Sequence, residues 1–583
     1  MSRYLPPLFT ALRQSLREGY SWPHLRGDLA AGVTVGIIAI PLAMALAIAV
    51  GVAPQHGLYT VLLAAPLIAL TGGSRFNISG PTAAFVVILL PITQQYGLGG
   101  LLLCTLMAGL ILIAMGLARL GRLIQFIPYP VTLGFTAGIG IVIATLQIKD
   151  LLGLTLPHTP QHYLEQLQLL ALSLPSAHLG DILVAIASLA VLLVWPRYVS
   201  KVPGHLVALA LGALLGLGLE VLDVPVATLG ERFSYTLDGV SHPGIPPFLP
   251  SFAWPWQLPG PDGQPIGLTF ELIRQLLAPA FAIAMLGAIE SLLCAVVADG
   301  MAGTRHDPNA ELLGQGLGNL VAPLFGGITA TAAIARSAAN VRAGAQSPIA
   351  AIVHAGVVLL AMLLLAPLFS YLPMAALAAL LLMVAWNMSE APHVAHTLRI
   401  APRNDVLVLL TCLVLTVLFD MVLAVGVGLL LAAGLFIKRM SDLTDTEPLP
   451  HHFHEALREL PEGVLAYAIR GPLFFGAAEK ALSVLRRFNP EVKVVIVEMS
   501  AVPLLDMTAL AALENLLHDY GRQGVGLVLV GTTPRVRLKL RRAGVHRESG
   551  RLAYVKTLEQ ARHKAANWLE PADQLNSEAI QAR

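Results

Sequence analysis

From Leu29 to Ile437 the chain is a succession of apolar runs, each broken by short polar or Gly/Pro-rich punctuation. A helix needs about 20 apolar residues to cross a bilayer. By that measure the pattern predicts spans at Leu29–Val50, Gly57–Leu70, Leu98–Ala118, Pro130–Gln147, Ile182–Trp195 and His205–Leu222. A second series follows at Leu276–Val297, Leu312–Leu324, Ile349–Leu368, Met374–Trp386, Val406–Phe419 and Val422–Phe436. Two more apolar stretches, Thr82–Ile92 and Ala332–Val341, are too short to span, and each follows a glycine-rich break. The first break runs from Gly72-Gly73-Ser74 to Gly80-Pro81, the second from Phe325-Gly326-Gly327 to Thr331. In chain order the short stretches fall third in the first seven segments and third in the second seven. Interrupted segments at matching positions point to an inverted-repeat transporter with its site at the breaks.

Beyond Phe436 the pattern changes to the mixed apolar and polar texture of a soluble α/β domain. Val464–Ile469, Val492–Glu498 and Gly526–Val530 read as strands, and Ala478–Arg487 and Thr508–Tyr520 as helices. The expected division is a leader over 1–28, a membrane domain over 29–437, a linker over 438–451, a cytosolic domain over 452–567 and a flexible tail over 568–583.

Composition supports the membrane reading. Hydrophobic residues make up 56% of the chain and charged residues 12%, against about 25% charged in soluble domains. Charge sidedness then orients it. Fourteen Lys and Arg, from Arg13 to Arg439, fall on one side of the predicted spans, against Lys149, Arg232 and Arg274 on the other. With an even number of segments, that asymmetry places both termini in the cytoplasm. Cys104, Cys294 and Cys412 all lie in apolar runs and read as packing. No Gly-x-x-x-x-Gly-Lys-Ser/Thr loop and no Cys/His cluster at metal-ligand spacing occurs, so neither an ATP motor nor a metal site is visible. Gly134-x-x-x-Gly138 and Gly314-x-x-x-Gly318 read as helix-packing contacts.

Irregular backbone within a bilayer survives only where it is buried in protein or lines a cavity. The two breaks therefore predict a polar cavity at mid-membrane. Each half-helix begins there with unpaired N–H groups and roughly half a unit of positive charge, which together make an anion site. Ala83, Ala84, Ala332 and Ala333 would let a substrate approach the backbone, or serve tight packing. Arg336 either pairs with a buried carboxylate or lends positive potential to the site, where its fork suits a carboxylate. Glu290, inside the eighth span, is either a structural hydrogen-bonded group or a coupling residue. A carboxylate placed between desolvation and a nearby guanidinium can take up and release a proton.

These residues carry a family resemblance. Ile40-Pro41-Leu42-Ala43-Met44-Ala45, Gly51-Val52-Ala53-Pro54-Gln55-His56-Gly57-Leu58-Tyr59, Gly80-Pro81-Thr82 and Phe325-Gly326-Gly327 with Arg336-Ser337 resemble the SulP (solute carrier 26) anion transporters. The C-terminal domain looks like a STAS domain, with Leu505-Asp506-Met507-Thr508-Ala509-Leu510 as its signature. Ala288-Ile289-Glu290-Ser291 and Ala385-Trp386-Asn387-Met388 look similar to the bacterial DauA-type dicarboxylate transporters. The resemblance implies fourteen transmembrane segments in a 7+7 inverted repeat, core and gate subdomains, and a homodimer. It also implies a substrate site between the third and tenth segments, lined by Leu42, Leu46, Thr82, Ala83, Ala84, Ala335, Arg336 and Ser337, with Glu290 on the eighth. Leu42 stands where many members carry Gln, and Thr82 where animal members carry Phe. Met507 stands where phosphorylated members carry Ser, which leaves Asp506 as a helix N-cap or as part of an altered switch.

The expected protein is a secondary transporter of the bacterial inner membrane, taking up four-carbon dicarboxylates such as succinate, fumarate or aspartate with protons. Bicarbonate and sulfate are the alternative substrates, and a passive anion channel or a STAS-based scaffold the alternative classes. It is no enzyme, needs no cofactor and binds no nucleic acid. The STAS unit would serve dimer stability or dock a cytosolic partner.

Overall fold

A computed structural model describes residues 8–122, 127–158, 160, 162–198, 202–237, 240–419, 421–450, 455–486 and 490–569. The start of the expected leader, Lys201, Arg487 and the tail from 570 onward lie outside these residues. The chain divides into two compact units, Met1–Leu429 and Leu430–Arg583, with the boundary inside one long helix.

In the first unit the helices are α1 (Thr10–Arg17), α2 (Trp22–Ala49), α3 (Gln55–Thr71), α4 (Val86–Leu117), α5 (Tyr129–Leu152), α6 (Tyr163–Ser173), α7 (Leu179–Tyr198), α8 (Gly204–Val221) and α9 (Leu229–Arg232). They continue with α10 (Phe270–Ala302), α11 (Pro308–Val321), α12 (Ile334–Arg342), α13 (Ile349–Phe369), α14 (Met374–Ser389), α15 (Ala391–Ile400), α16 (Arg403–Leu418) and α17 (Met421–Asp442). Short strands β1 (Ser79–Gly80), β2 (Ser234–Leu237), β3 (Val240–Pro243) and β4 (Thr331–Ala332) lie between them. Among the described residues, nine helices are long and apolar enough to cross a membrane. Every predicted segment coincides with helix. Thr82–Ile92 and Leu98–Ala118 form two legs of one element, broken at Gly97, whose backbone is non-helical (φ 68°, ψ −170°).

Helices α6 and α15 were not expected. At 11 and 10 residues they are too short to span, and polar residues interrupt both, so no long apolar run announces them.

The helices pack as two groups. In one, α13 lies on α2 and α3, and α4 lies on α10 and α11, the mirrored arrangement of a repeat. In the other, α5 packs against α14 and α16, and α7 against α8 and α14. Both small-residue motifs are helix contacts. A Cβ at Gly134 would stand 2.5 Å from the Leu409 carbonyl oxygen, and one at Gly138 2.7 Å from Thr416 Cβ, so α5 and α16 touch backbone to backbone. Gly314 and Gly318 meet Gly72 and Ile68 in the same way.

The second unit holds a five-stranded sheet in the order β5 (Asp445–Pro448), β6 (Val464–Arg470), β7 (Val494–Glu498), β8 (Gly526–Val530) and β9 (Leu552–Val555). Strand β5 is antiparallel to β6 and the rest are parallel. Between and after the strands come α18 (Glu455–Arg458), α19 (Ala478–Val484), α20 (Met507–Gln523), α21 (Pro534–Arg542) and α22 (Leu558–Leu569). Alternate strand residues serve two cores. Val495, Val497, Leu527 and Leu529 pack with α19, α20 and α21, while Val494, Ile496 and Val528 pack with α18 and α22. The sheet takes in Asp445–Pro448, within the stretch read as linker. Asp506 is a helix cap: its Oδ1 accepts from Ala509 N at 2.8 Å and its Oδ2 from Phe475 N at 2.9 Å.

Replacing Gly134 with Val forces α5 off α16, and overpacking of this kind costs about 1–3 kcal/mol. The variant is expected to melt at lower temperature in detergent and to lose monodispersity in size-exclusion chromatography. An unchanged melting curve would contradict the close contact.

Candidate functional site

The two glycine-rich breaks meet. Strand β1 pairs antiparallel with β4, Ser79 opposite Ala332 and Gly80 opposite Thr331. Immediately after β1 the chain extends through Thr82 (φ −127°, ψ 154°) into a 3-10 turn at Ala83–Phe85 and then α4. After β4 it extends through Ala333 (φ −107°, ψ 122°) into α12. The two helices leave opposite ends of one ribbon, with their N-terminal ends toward it. No side chain caps either start, so first-turn N–H groups are left to a ligand or solvent.

A cavity of about 640 Å³ lies at these starts. Leu42 and Leu46 from α2, Thr82, Ala83 and Ala84 from the first break, Glu290 from α10, and Ala335 and Arg336 from α12 all line it. The sequence thus brings eight of its nine expected residues to one space. Ser337 is the exception: it is 1% exposed and its Oγ accepts from Ile78 N at 2.9 Å. Its place is in the packing behind the ribbon, because the next residue on a helix points about 100° away from Arg336. Ala333 faces the cavity, whereas Ala332 is fully buried in β4.

Arg336 reaches back across the ribbon. Its Nη2 donates to the Pro81 carbonyl oxygen at 2.8 Å, and its Nη1 is buried without a partner. Gly80 makes room for it, since a Cβ there would stand 2.8 Å from Nη1. One residue beyond Pro81 in the same break, Glu290 Oε2 accepts from Thr82 Oγ1 at 3.0 Å. Among the described residues Glu290 and Arg336 form no ion pair with each other or with any other group. The two are not in direct ion-pair contact, yet the charges of Arg336 and Glu290 act on each other, so a buried carboxylate does stand near the guanidinium.

Several residues that the sequence reading passed over hold this geometry. Glu311 on α11 is 1% exposed. Its Oε2 accepts from the backbone N–H of Gly73 (3.1 Å) and Ser74 (3.0 Å), and its Oε1 from Asn77 Nδ2 (2.7 Å) and Gln315 Nε2 (3.2 Å). Gln315 also donates to Ser79 Oγ, and Asn319 exchanges two hydrogen bonds with the backbone of Ala330. Helix α3 returns the favour for the second break: His56 Nδ1 lies 2.6 Å from the Gly326 carbonyl oxygen, and Thr60 Oγ1 donates to Ile328 at 3.0 Å. The available signal was a polar residue every fourth position, Glu311, Gln315 and Asn319, on an otherwise apolar helix. The cavity also takes in His205, Asn387 and Arg342, which lie in or beside other apolar runs.

With Glu311 replaced by Ala, two backbone N–H groups and two side-chain amides lose their acceptor in a dry interior. Each orphaned donor costs about 1–3 kcal/mol. The variant is expected to be strongly destabilised in thermal unfolding of the purified protein, and Glu311→Gln less so. Wild-type stability in Glu311→Ala would show that the clamp is dispensable.

Comparison with known proteins gives concordant results. Residues 25–412 match the model of the sulfate permease family, and residues 456–563 that of the STAS domain. A Bacillus subtilis protein named "Putative sulfate transporter YvdB" is 41% identical over 92% of this chain and 96% of its own length. The "Bicarbonate transporter BicA" of a Picosynechococcus species is 31% identical over 89% of this chain and 90% of its own. Among solved structures, the overall structure of SLC26A9 superposes with a TM-score of 0.81 at 17% identity, covering 97% of this chain and 93% of that one, a likeness of fold.

Proposed function

The chain belongs to the sulfate permease family, with a STAS domain following its multi-pass membrane domain, and we propose that it is a secondary transporter of small dianions coupled to protons. The observation that carries this reading is that Arg336 and Glu290 line one cavity together with two helix starts that no side chain caps. A helix N-terminus contributes roughly half a positive charge. With Glu290 protonated, the site holds about two positive charges, and with Glu290 ionised about one. A dianion therefore binds best together with a proton. Thr82 Oγ1 donates to Glu290 and Thr82 lines the same cavity, which ties the charge of Glu290 to the first break.

Alternating access follows from the two helix groups, one carrying the breaks and the other, through Phe135, His205 and Asn387, closing the cavity's far wall. Arg336 and Glu290 travel with the first group. The reading has both termini in the cytoplasm, which the charge asymmetry of the loops supports, and a homodimer in the inner membrane.

Four-carbon dicarboxylates of the DauA type suit the apolar wall of Leu42, Leu46 and Leu293, against which a methylene chain can lie. The second reading is sulfate or bicarbonate, favoured by the names of the relatives. Bicarbonate, a monoanion, would match the state in which Glu290 is ionised.

In liposomes with an inward proton gradient, labelled succinate is expected to accumulate, and unlabelled sulfate and bicarbonate to compete weakly. Glu290→Gln should abolish gradient-driven accumulation while leaving exchange of internal for external substrate. Arg336→Ala should raise KM roughly 10- to 100-fold, the loss of one charged hydrogen-bonding partner. Accumulation of sulfate or bicarbonate in preference to succinate would transfer the assignment to the second reading. Anion conductance without accumulation would make the protein a channel, and no flux of any of the three anions would leave a scaffold.

A further inference from the structure

Between Pro534 and Arg551 the second unit carries seven Lys and Arg against a single Glu548. Most of this charge sits on α21, which follows β8 through Thr533, whose Oγ1 accepts from Val536 N. Val536 and Leu540, one turn apart, are buried beneath the helix at 2% and 0% exposure. They anchor one face and turn the opposite face outward.

Two of the cations are spent on the fold itself. Arg537 donates to Thr532 Oγ1 and lies over the Tyr554 ring, and Lys539 Nζ donates to the Leu505 carbonyl oxygen at 2.7 Å. Arg551 pairs with Glu548. The remaining four, Arg535, Arg541, Arg542 and Arg547, are exposed, and among the described residues none has an anionic partner. At 100° per residue, Leu538 stands opposite the buried pair, with Arg535, Arg541 and Arg542 on its flanks. Leu538 is 51% exposed. An apolar centre ringed by arginines, on a helix held rigidly by its other face, is the pattern of a surface that meets a bilayer at the headgroup level.

We propose that this face of the STAS domain, built from Arg535, Leu538, Arg541 and Arg542, docks on anionic lipid headgroups of the bilayer that the same chain spans. The chemistry is complementary on both counts. Guanidinium forks match phosphate oxygens bidentately, and Leu538 enters the boundary between headgroups and acyl chains. A nucleic acid offers the negative charge but no apolar layer for the leucine. Lipid is also the partner present at the highest effective concentration, because the first unit holds the domain to it by a covalent connection. Attraction of this kind fades within a Debye length, so the docked state depends on salt.

The test uses the full chain in nanodiscs of phosphatidylcholine alone or mixed with phosphatidylglycerol, with hydrogen exchange followed over residues 534–551. Exchange is expected to slow several-fold in the anionic discs, and to return to the neutral-disc rate in high salt. The triple substitution R535E/R541E/R542E should erase the difference between lipids, whereas the corresponding three Arg→Lys changes should keep most of it, which separates lost charge from lost folding. Exchange elsewhere in the domain reports whether each variant is folded. Equal exchange in both lipids, or protection indifferent to salt and to charge reversal, would overturn the proposal. Protection seen only when RNA or a cytosolic extract is added would assign the face to a soluble partner instead.

Discussion

Main-chain N–H and C=O groups within a bilayer have no water to turn to, and everything at this site follows from how two broken stretches of backbone are satisfied. The β1–β4 ribbon pairs four residues' worth of backbone between the halves of the chain. Beyond the ribbon, side chains take over, and they do so reciprocally. Helix α11, from the second half, holds the first break through Glu311. Helix α3, from the first half, holds the second break through His56 and Thr60. Neither half can form its interruption alone. A carboxylate with four hydrogen-bond donors around it tolerates burial that an unpaired charge would not.

Among the polar groups that this arrangement leaves without a partner, some belong to residues that line the cavity. The helix starts after the ribbon lack side-chain caps, and Arg336 has a donor with no acceptor. In the proposed reading, an anion in the cavity meets these helix starts and the positive charge of Arg336. On the same reading Leu42 and Leu46, which line this cavity, select by shape what the charge attracts.

The two units answer to different solvents. In the first, apolar side chains face lipid, so cohesion comes from close contact, as at Gly134 and Gly138 against α16. In the second, the hydrophobic effect operates, and the sheet buries an alternating pattern on both faces. The basic helix α21 stands out because its charge does nothing for either core beyond Arg537 and Lys539.

Hydropathy along the chain was enough to place the spans, the two breaks, the change to an α/β domain and three of its five strands, because lipid burial and strand alternation are written into consecutive residues. Eight cavity residues followed from their positions at the breaks and from family likeness. Strand β5 escaped because Asp445, Glu447 and Pro448 have little strand propensity and an edge position tolerates them. Strand β9 escaped because four residues carry too little pattern. The direction of Ser337, the clamp at Glu311 and the free donor of Arg336 were decided by tertiary structure alone. Each depends on which group from a segment more than 200 positions away comes within hydrogen-bonding distance. A periodicity has no access to that.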